Sequence, residues 1–202
     1  MKTEAAPLEN VEIIPVTPRR WADMQVLFGP RGACAGCWCM YWRLKRAEFQ
    51  RQTGDGNRLA MQALIQAGEI PGLLAYLPEK HAGPANQPVG WVSVAPRQAF
   101  PLFERSRVLK PVDDAPVWSV VCFFVARRFR DHGLTLLLLR AAVDFAAQHG
   151  AAIVEGYPIE PKKGRTADVF VYTGLASTFL QAGFVEVARR SETRPIMRYY
   201  IK

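Results

Sequence analysis

The pattern of hydrophobic and polar positions along the chain predicts a mixed α/β protein. Apolar residues at helical spacing, with capping and stop residues, predict helices over 18–28, 57–67, 134–149 and 173–183. Short β-type runs predict strands over 11–18, 72–78, 88–96, 117–126, 151–160, 184–190 and 195–201. The run 117–126 is almost continuously apolar, which is typical of a central strand buried on both faces. The order of these elements indicates one mixed sheet flanked by helices.

The length of the chain agrees with a single domain. At about 150 residues per domain, 202 residues make one domain, and no repeat or linker divides them. We expect 1–10 to be a polar N-terminal tail and 11–202 to be the domain. The start of the sequence has no apolar signal core, and no apolar run approaches the ~20 residues that cross a bilayer. These features predict a cytoplasmic protein without a membrane partner.

The net charge of the chain points to an acidic ligand. Lys and Arg number 26 against 18 Asp and Glu, which gives +8 at pH 7. The basic residues are scattered, and the densest cluster is Arg127, Arg128 and Arg130. No basic arm, helix-turn-helix, zinc-finger or aromatic RNA-binding signature is present, so nucleic acid is disfavoured as a partner.

Three of the four cysteines form the motif CAGCWC. The cysteines are Cys34, Cys37, Cys39 and Cys122. A zinc site needs a fourth ligand and usually a second ligand pair, which the sequence does not supply, so we expect no metal. Reduced thiols in an aromatic-rich segment with Trp38, Tyr41 and Trp42 are favoured instead.

The segment that follows the apolar strand is suited to binding a phosphate. An Arg-rich turn leads into a helix that begins near Leu134. The first amides of a helix have no intrahelical partner and face an anion favourably. Gly133 has no side chain to block close approach, and Arg130 adds a charged donor. An ordinary helix start with a solvated arginine would show the same short pattern.

The residues Arg130-Asp131-His132-Gly133-Leu134-Thr135 resemble the acyl-CoA-binding turn of the GNAT superfamily of N-acetyltransferases, whose pattern is Gln/Arg-x-x-Gly-x-Gly/Ala. Thr135 departs from that pattern. The end of the helix 173–183, Ala182-Gly183-Phe184, resembles the Gly-Phe pair that closes the last helix of the family. The stretches GACAGCWCMYWR and ARRSETRPIMR also resemble a bacterial subgroup of acetyltransferase-like proteins.

The resemblance implies a fold, a cofactor and a set of contacts. The fold is a mixed, mainly antiparallel, twisted sheet flanked by helices and splayed at the strand that binds the acyl donor. The backbone of Phe124 and Val125 is expected to pair with the pantetheine amides of acetyl-CoA. The pyrophosphate is expected at the amides of Arg130, Asp131, His132, Gly133, Leu134 and Thr135.

The resemblance also implies direct transfer of an acetyl group to a primary amine within a ternary complex. The family often places a tyrosine four residues before the closing glycine, to protonate the leaving thiolate. Phe179 stands there in this chain and has no proton to give. Tyr172 is the nearest substitute, and Glu155 is a second catalytic candidate because a carboxylate in an apolar strand needs a partner or a pocket. Trp38 and Trp42 are candidates for the acceptor wall, with core packing as the alternative reading.

Two other functions stay open at this point. A non-catalytic acyl-CoA-binding or sensor module would explain the missing tyrosine at Phe179. A thiol-based redox or metal protein would use Cys34, Cys37 and Cys39. The acceptor is equally open between a small amine, an antibiotic, a peptide and a protein lysine, and a homodimer is not excluded.

Overall fold

The structure is a computed structural model that describes residues 8, 10–77, 87–162 and 170–202. The strands in this part of the chain are β1 (Glu12–Pro15), β2 (Gly72–Tyr76), β3 (Pro88–Pro96), β4 (Trp118–Val125), β5 (Ile153–Gly156), β6 (Val185–Arg189) and β7 (Pro195–Tyr200). The α-helices are α1 (Trp21–Phe28), α2 (Arg46–Arg51), α3 (Asp55–Gln66), α4 (Leu134–Gln148) and α5 (Ala176–Gln181). Most of the predicted tail 1–10 and of the connection between β2 and β3 lies outside the described residues.

All seven strands belong to one sheet. Their order is β1-β2-β3-β4-β5-β7-β6. Every neighbouring pair is antiparallel except β4 and β5, which run parallel. The predicted mixed, mainly antiparallel sheet is therefore confirmed.

The centre of the sheet is irregular on both sides of β4. The pairing of Ser93 with Cys122 is followed by that of Val94 with Val120, so Val121 is an extra residue that forms a β-bulge in β4. On its other side, β4 pairs with β5 only through its first three residues. Beyond Val120 the two strands separate and leave a gap. The predicted splay at this strand is confirmed.

Three hydrophobic clusters cover the two faces of the sheet. The α4 cluster, under α4 and α5, contains Val120, Phe123, Leu134, Leu138, Val154, Phe179 and Phe184. The tryptophan cluster, on the opposite face under α1 and α3, contains Trp21, Phe28, Trp38, Cys39, Leu74 and Trp91. The phenylalanine cluster lies beside it and contains Trp42, Phe100, Phe103, Val121 and Tyr157. Helices α4 and α5 thus pack on one face of the sheet, and the residues before β2 together with the segment between β3 and β4 pack on the other.

Two helices begin at residues other than those predicted. α3 begins at Asp55, and Asn57 lies inside it, fully buried, where its Nδ2 donates to the Gly36 carbonyl at 3.0 Å. α5 begins at Ala176, and Thr173 is buried and accepts a bond from Arg194 at 2.9 Å. Both polar side chains hydrogen-bond to residues distant in the sequence rather than to the backbone at a helix end. Within the described ranges, no helix is long and apolar enough to span a membrane.

Candidate functional site

The turn between β4 and α4 combines two left-handed residues with a helix N-terminus. Asp131 has φ of 66° and Gly133 has φ of 76°. A Cβ built on Gly133 meets no atom within 4 Å, so the space in front of the turn is open. The Gly133 carbonyl accepts a bond from the Leu136 amide at 3.0 Å, which begins the helix. The earlier amides, of Leu134 and Thr135, have no intrahelical carbonyl to bond and form the positive end of α4.

Arg130 connects this turn to the end of β4. Its Nε donates to the Val125 carbonyl at 3.0 Å. The guanidinium of Arg128 lies over the Phe129 ring at 4.5 Å. Since the side chains of Arg130 and Arg128 both contact residues close to them in the chain, their positive charges lie beside the start of α4. A groove of about 350 Å³ runs between α1 and this turn, and Arg127 and Arg128 form part of its wall.

Two residues of β4 have backbone N–H and C=O groups that face the gap. The Ala126 amide donates to the carbonyl of Val89, its partner on β3. Because backbone N–H and C=O groups of alternate residues face the same side of an antiparallel strand, those of Phe124 also point toward β3. Those of Phe123 and Val125 point the other way, into the gap. The Phe123 amide donates to the Tyr172 carbonyl at 2.6 Å. The Val125 amide is therefore the donor that faces the gap beside the turn, and Phe123 is a gap residue that the sequence did not single out.

Phe179 fills the α4 side of the gap. It is fully buried, at 4.9 Å from Phe184 and 6.2 Å from Phe123 between ring centroids. A Cβ built on Gly156 of β5 would lie 2.1 Å from its Cε1 atom, and one built on Gly174 would lie 2.8 Å from its Cε2 atom. Two glycines thus make room for this ring between the strands, and the floor of the gap is apolar.

Tyr172 lies on the opposite side of the gap. Its carbonyl bonds to Phe123, and its half-buried side chain packs on the phenylalanine cluster. Burial raises the pKa of Tyr172, and the nearby positive charge of Arg194 opposes this shift only in part. Tyr41 and Cys122 lie close enough to raise the same pKa further. The phenol therefore keeps its proton at neutral pH.

Glu155 is at the centre of a buried ionic cluster. One carboxylate oxygen accepts bonds from Arg97 at 3.1 Å and from the Tyr157 hydroxyl at 2.7 Å, and the other accepts from Arg198 at 2.8 Å. Arg198 also donates to both oxygens of Asp113, at 2.6 and 2.9 Å. This contact set supports a structural role for Glu155, and its catalytic role stays a prediction.

Trp38 and Trp42 are both buried, and they lie in different clusters. Trp38 packs against Trp21 and Phe28 at 5.8 and 5.6 Å between ring centroids. Trp42 lies 4.7 Å from the Phe103 ring, and its indole nitrogen is buried without a hydrogen-bond partner in the structure. The geometry supports core packing for Trp38. Because the indole N–H of Trp42 has no partner, Trp42 stays a candidate for the wall of the acceptor site.

The cysteines are all free thiols. Cys34 is exposed, Cys37 and Cys122 are half-buried, and Cys39 is buried. Among the described residues, no group of three or more His, Cys, Asp or Glu side chains is arranged to hold a metal ion.

Comparison with known proteins assigns the chain to a family. Residues 39–157 match the model of the acetyltransferase (GNAT) family, which is more than half of the chain. The protein therefore belongs to the GNAT acetyltransferase family. No curated protein matches the sequence significantly.

Solved structures share the fold at low sequence identity. A GNAT acetyltransferase from Listeria monocytogenes superposes with a TM-score of 0.55 at 10% identity, covering 95% of each chain. One from Streptococcus pneumoniae gives 0.54 at 15% identity, covering 96% of this chain and 100% of its own. The Arabidopsis thaliana NAA60 structure, a complex with acetyl-CoA, gives 0.51 at 12% identity, covering 95% of this chain and 100% of its own. These similarities establish the fold, which was predicted from the sequence.

Proposed function

We propose that the protein is an acetyl-CoA-dependent N-acetyltransferase that transfers an acetyl group directly to a primary amine in a ternary complex. The observation that carries the proposal is the open left-handed turn at Gly133, placed at the N-terminus of α4 and beside the gap between β4 and β5. Family membership supports acetyl transfer, and family structures with bound acetyl-CoA or CoA support the choice of donor.

The residues at the turn fit the phosphates of the donor. The amides of Leu134 and Thr135 supply unpaired N–H groups at the positive end of α4. The space that a side chain would fill at Gly133 is open to the pyrophosphate. Further along the gap, the Val125 amide is positioned to bond a carbonyl of the pantetheine arm. We retain the predicted roles of Arg130, Asp131 and His132 at the phosphates as part of this proposal.

We propose Tyr172 as the general acid. In the reaction the amine nitrogen bonds to the thioester carbon, the carbon–sulfur bond breaks, and the leaving thiolate takes a proton. Tyr172 lies at the gap through its bond to Phe123, and because its pKa is raised the phenol carries its proton at neutral pH and is available as a donor to the thiolate. General acid assistance is worth about 10²–10⁴-fold in rate.

Donor binding is tested by calorimetry with a matched pair of variants. Gly133 and Gly150 lie at opposite ends of α4 and have the same local geometry. Their φ angles are 76° and 80°, and a Cβ built on either residue meets no atom within 4 Å. Gly133→Glu places a carboxylate against the phosphates and is expected to weaken acetyl-CoA binding by at least about tenfold. Gly150→Glu introduces the same strain at the other end of the helix and is expected to bind acetyl-CoA normally. Equal loss in both variants, or no binding by the wild type, would contradict the proposal.

Turnover is tested by the release of free CoA over a panel of primary amines. Tyr172→Phe is expected to lower kcat by about 10²–10⁴-fold while acetyl-CoA binding is retained. Tyr41→Phe, which removes the hydroxyl of a neighbouring exposed tyrosine, is the control. Undiminished kcat in Tyr172→Phe would show that another group is the acid.

A second candidate function is a non-catalytic acyl-CoA-binding or sensor module. It is favoured by Phe179, which provides an apolar ring where many family members have a tyrosine. Acetyl-CoA binding by the wild type without turnover on any amine would select this function. A cytoplasmic location and a homodimer stay predictions.

A further inference from the structure

Cys39 and Cys122 lie together although 83 positions separate them in the chain. The Sγ atom of Cys39 accepts a hydrogen bond from the Trp91 indole at 3.2 Å, inside the tryptophan cluster. Cys122 of β4 pairs with Ser93, two residues from Trp91 on β3 and therefore on the same face of the sheet. Cys122 packs on the same cluster, close enough to Cys39 for each thiol to shift the pKa of the other.

The backbone that carries Cys39 is strained. Trp38 and Cys39 have φ of 44° and 59°, a left-handed conformation that residues other than glycine rarely adopt, and Ala33 and Ala35 share it. Such strain persists only where the surrounding structure enforces it, and it is concentrated at functional sites. Here the strained bend is held by Trp38 in the core, and it directs the Cys39 sulfur at Trp91.

The surroundings of Cys39 stabilise a thiolate. The neighbouring Cys122 thiol, the Trp91 N–H at 3.2 Å and the positive charge of Arg43 lower the pKa of Cys39 despite its burial. The Nε atom of Arg43 is buried without a hydrogen-bond partner in the structure. By contrast, the contact with Cys39 and burial raise the pKa of Cys122. The pair therefore has one nucleophilic sulfur and one sulfur that holds its proton.

We propose that Cys39 and Cys122 form a reactive dithiol that hydroperoxides oxidise to an intramolecular disulfide. In the first step the Cys39 sulfur bonds to a peroxide oxygen, the O–O bond breaks, and water or an alcohol leaves, which oxidises Cys39 to a sulfenic acid. In the second step the Cys122 sulfur bonds to the Cys39 sulfur, the S–O bond breaks, and the hydroxyl leaves as water with the Cys122 proton. Two thiols and one hydroperoxide thus give a disulfide, water and either a second water or an alcohol.

The position of Cys122 gives the pair access to solvent and an effect on the site. Cys122 is half-buried where the tryptophan and phenylalanine clusters meet, near Tyr172. It also lies between the bulge residue Val121 and Phe123, whose amide bonds to Tyr172 across the gap. A disulfide here would tie the segment before α2 to the strand that borders the gap. This effect on turnover rests on the proposed acetyltransferase function, whereas the oxidation itself does not.

The oxidation is tested by intact-mass measurement in a Cys34→Ser/Cys37→Ser background, which keeps only the pair. After treatment with hydrogen peroxide we expect the loss of two hydrogens, reversal by dithiothreitol, and a peptide that links the two remaining cysteines. Two results would overturn the proposal. One is the addition of oxygen without the loss of two hydrogens. The other is an unchanged mass of the folded protein, when a denatured sample shows that both thiols are reduced and reactive. The same treatment of Cys122→Ser in this background is expected to stop at oxygen addition to Cys39.

The role of the indole donor separates this reaction from random oxidation. Trp91→Phe keeps an aromatic ring and removes the N–H that faces Cys39, and we expect disulfide formation to slow several-fold. Trp21→Phe removes the indole N–H of another tryptophan in the same cluster and is the control for altered packing. Equal rates in Trp91→Phe and the unmodified background would overturn the thiolate assignment. Turnover by oxidised wild-type protein is then measured separately: an unchanged rate would overturn only the effect on the site.

Discussion

Replacement of Glu155 by glutamine separates a structural role of this residue from a catalytic one. Glutamine has nearly the same shape as glutamate, so Glu155→Gln removes the charge without leaving a cavity. The amide group can accept through one oxygen only, and its NH2 group must face a donor, either Arg198 or the pair of Arg97 and Tyr157. At least one charge-assisted hydrogen bond is therefore replaced by two opposed donors.

The size of the effect follows from the burial of the cluster. Glu155 is 1% exposed, and the side chains of Arg97 and Arg198 are 14% and 3% exposed, so the lost charge is not replaced by water. Removal of one partner from a buried ion pair costs about 3–5 kcal/mol. Because Arg198 retains both bonds to Asp113, we expect the lower end, about 3 kcal/mol. For a domain of this length, that lowers Tm by roughly 6–12 °C.

The assay pairs thermal unfolding with turnover on the same preparations. Tm is measured by circular dichroism, and kcat is measured well below the Tm of the variant, where the protein is folded. Asp114→Asn is the matched control, because it is the same carboxylate-to-amide change at an exposed position. Its Tm is expected to shift by no more than the equivalent of about 0.5 kcal/mol.

A structural role and a catalytic role of Glu155 predict different effects on Tm and kcat. A structural Glu155 gives a large fall in Tm, while kcat of the folded variant stays within a few-fold of the wild type. A catalytic base gives a fall in kcat of about 10²–10⁴-fold. An unchanged Tm would refute the calculation from burial, and a large fall in kcat with an unchanged Tm would establish the catalytic role.

Two further predictions concern the gap floor and the acidic limit of stability. Gly156→Ala places a Cβ 2.1 Å from Cε1 of the buried Phe179 ring, so we expect a loss of about 1–3 kcal/mol in chemical denaturation, part of which Phe179→Leu restores when the two changes are combined. Hydrogen bonds from Arg198 lower the pKa of Asp113 below its unfolded value, so this carboxylate stabilises the fold above about pH 4 and ceases to do so as the pH falls through its folded pKa. The Tm of the wild type is therefore expected to exceed that of Asp113→Asn at neutral pH and to converge with it in acid, and a constant difference across this range would contradict the linkage.

The order of elements and the mixed sheet could be predicted from the sequence because they depend on local signals, whereas the splay was implied by the resemblance to the family. The apolar run 117–126 marks the central strand, and the Arg130–Thr135 motif marks the turn that follows it. The family match over 39–157 confirms what those residues implied about the fold. Most of the connection between β2 and β3 lies outside the described residues.

The environment of single side chains could not be predicted in the same way. Thr173 and Asn57 have the residue types of helix caps, but each bonds to a part of the chain that only the tertiary fold brings near. Phe124 and Phe123 differ in which edge of β4 their backbone faces, and that is decided by the strand register. The contact of Cys39 with Trp91 depends on a strained bend that no local pattern encodes.

The two sides of the gap are chemically different, and this difference bears on the proposed general acid. On the α4 side, Phe179 is fully buried between Gly156 and Gly174 and has no hydroxyl, so this side chain supplies no proton. On the other side lie a phenol, that of Tyr172, and a thiol, that of Cys122, which both hold their protons at neutral pH because their pKa values are raised. Under the proposed mechanism, the proton for the leaving thiolate comes from the side of the gap that carries Tyr172, and we expect the acceptor to enter there.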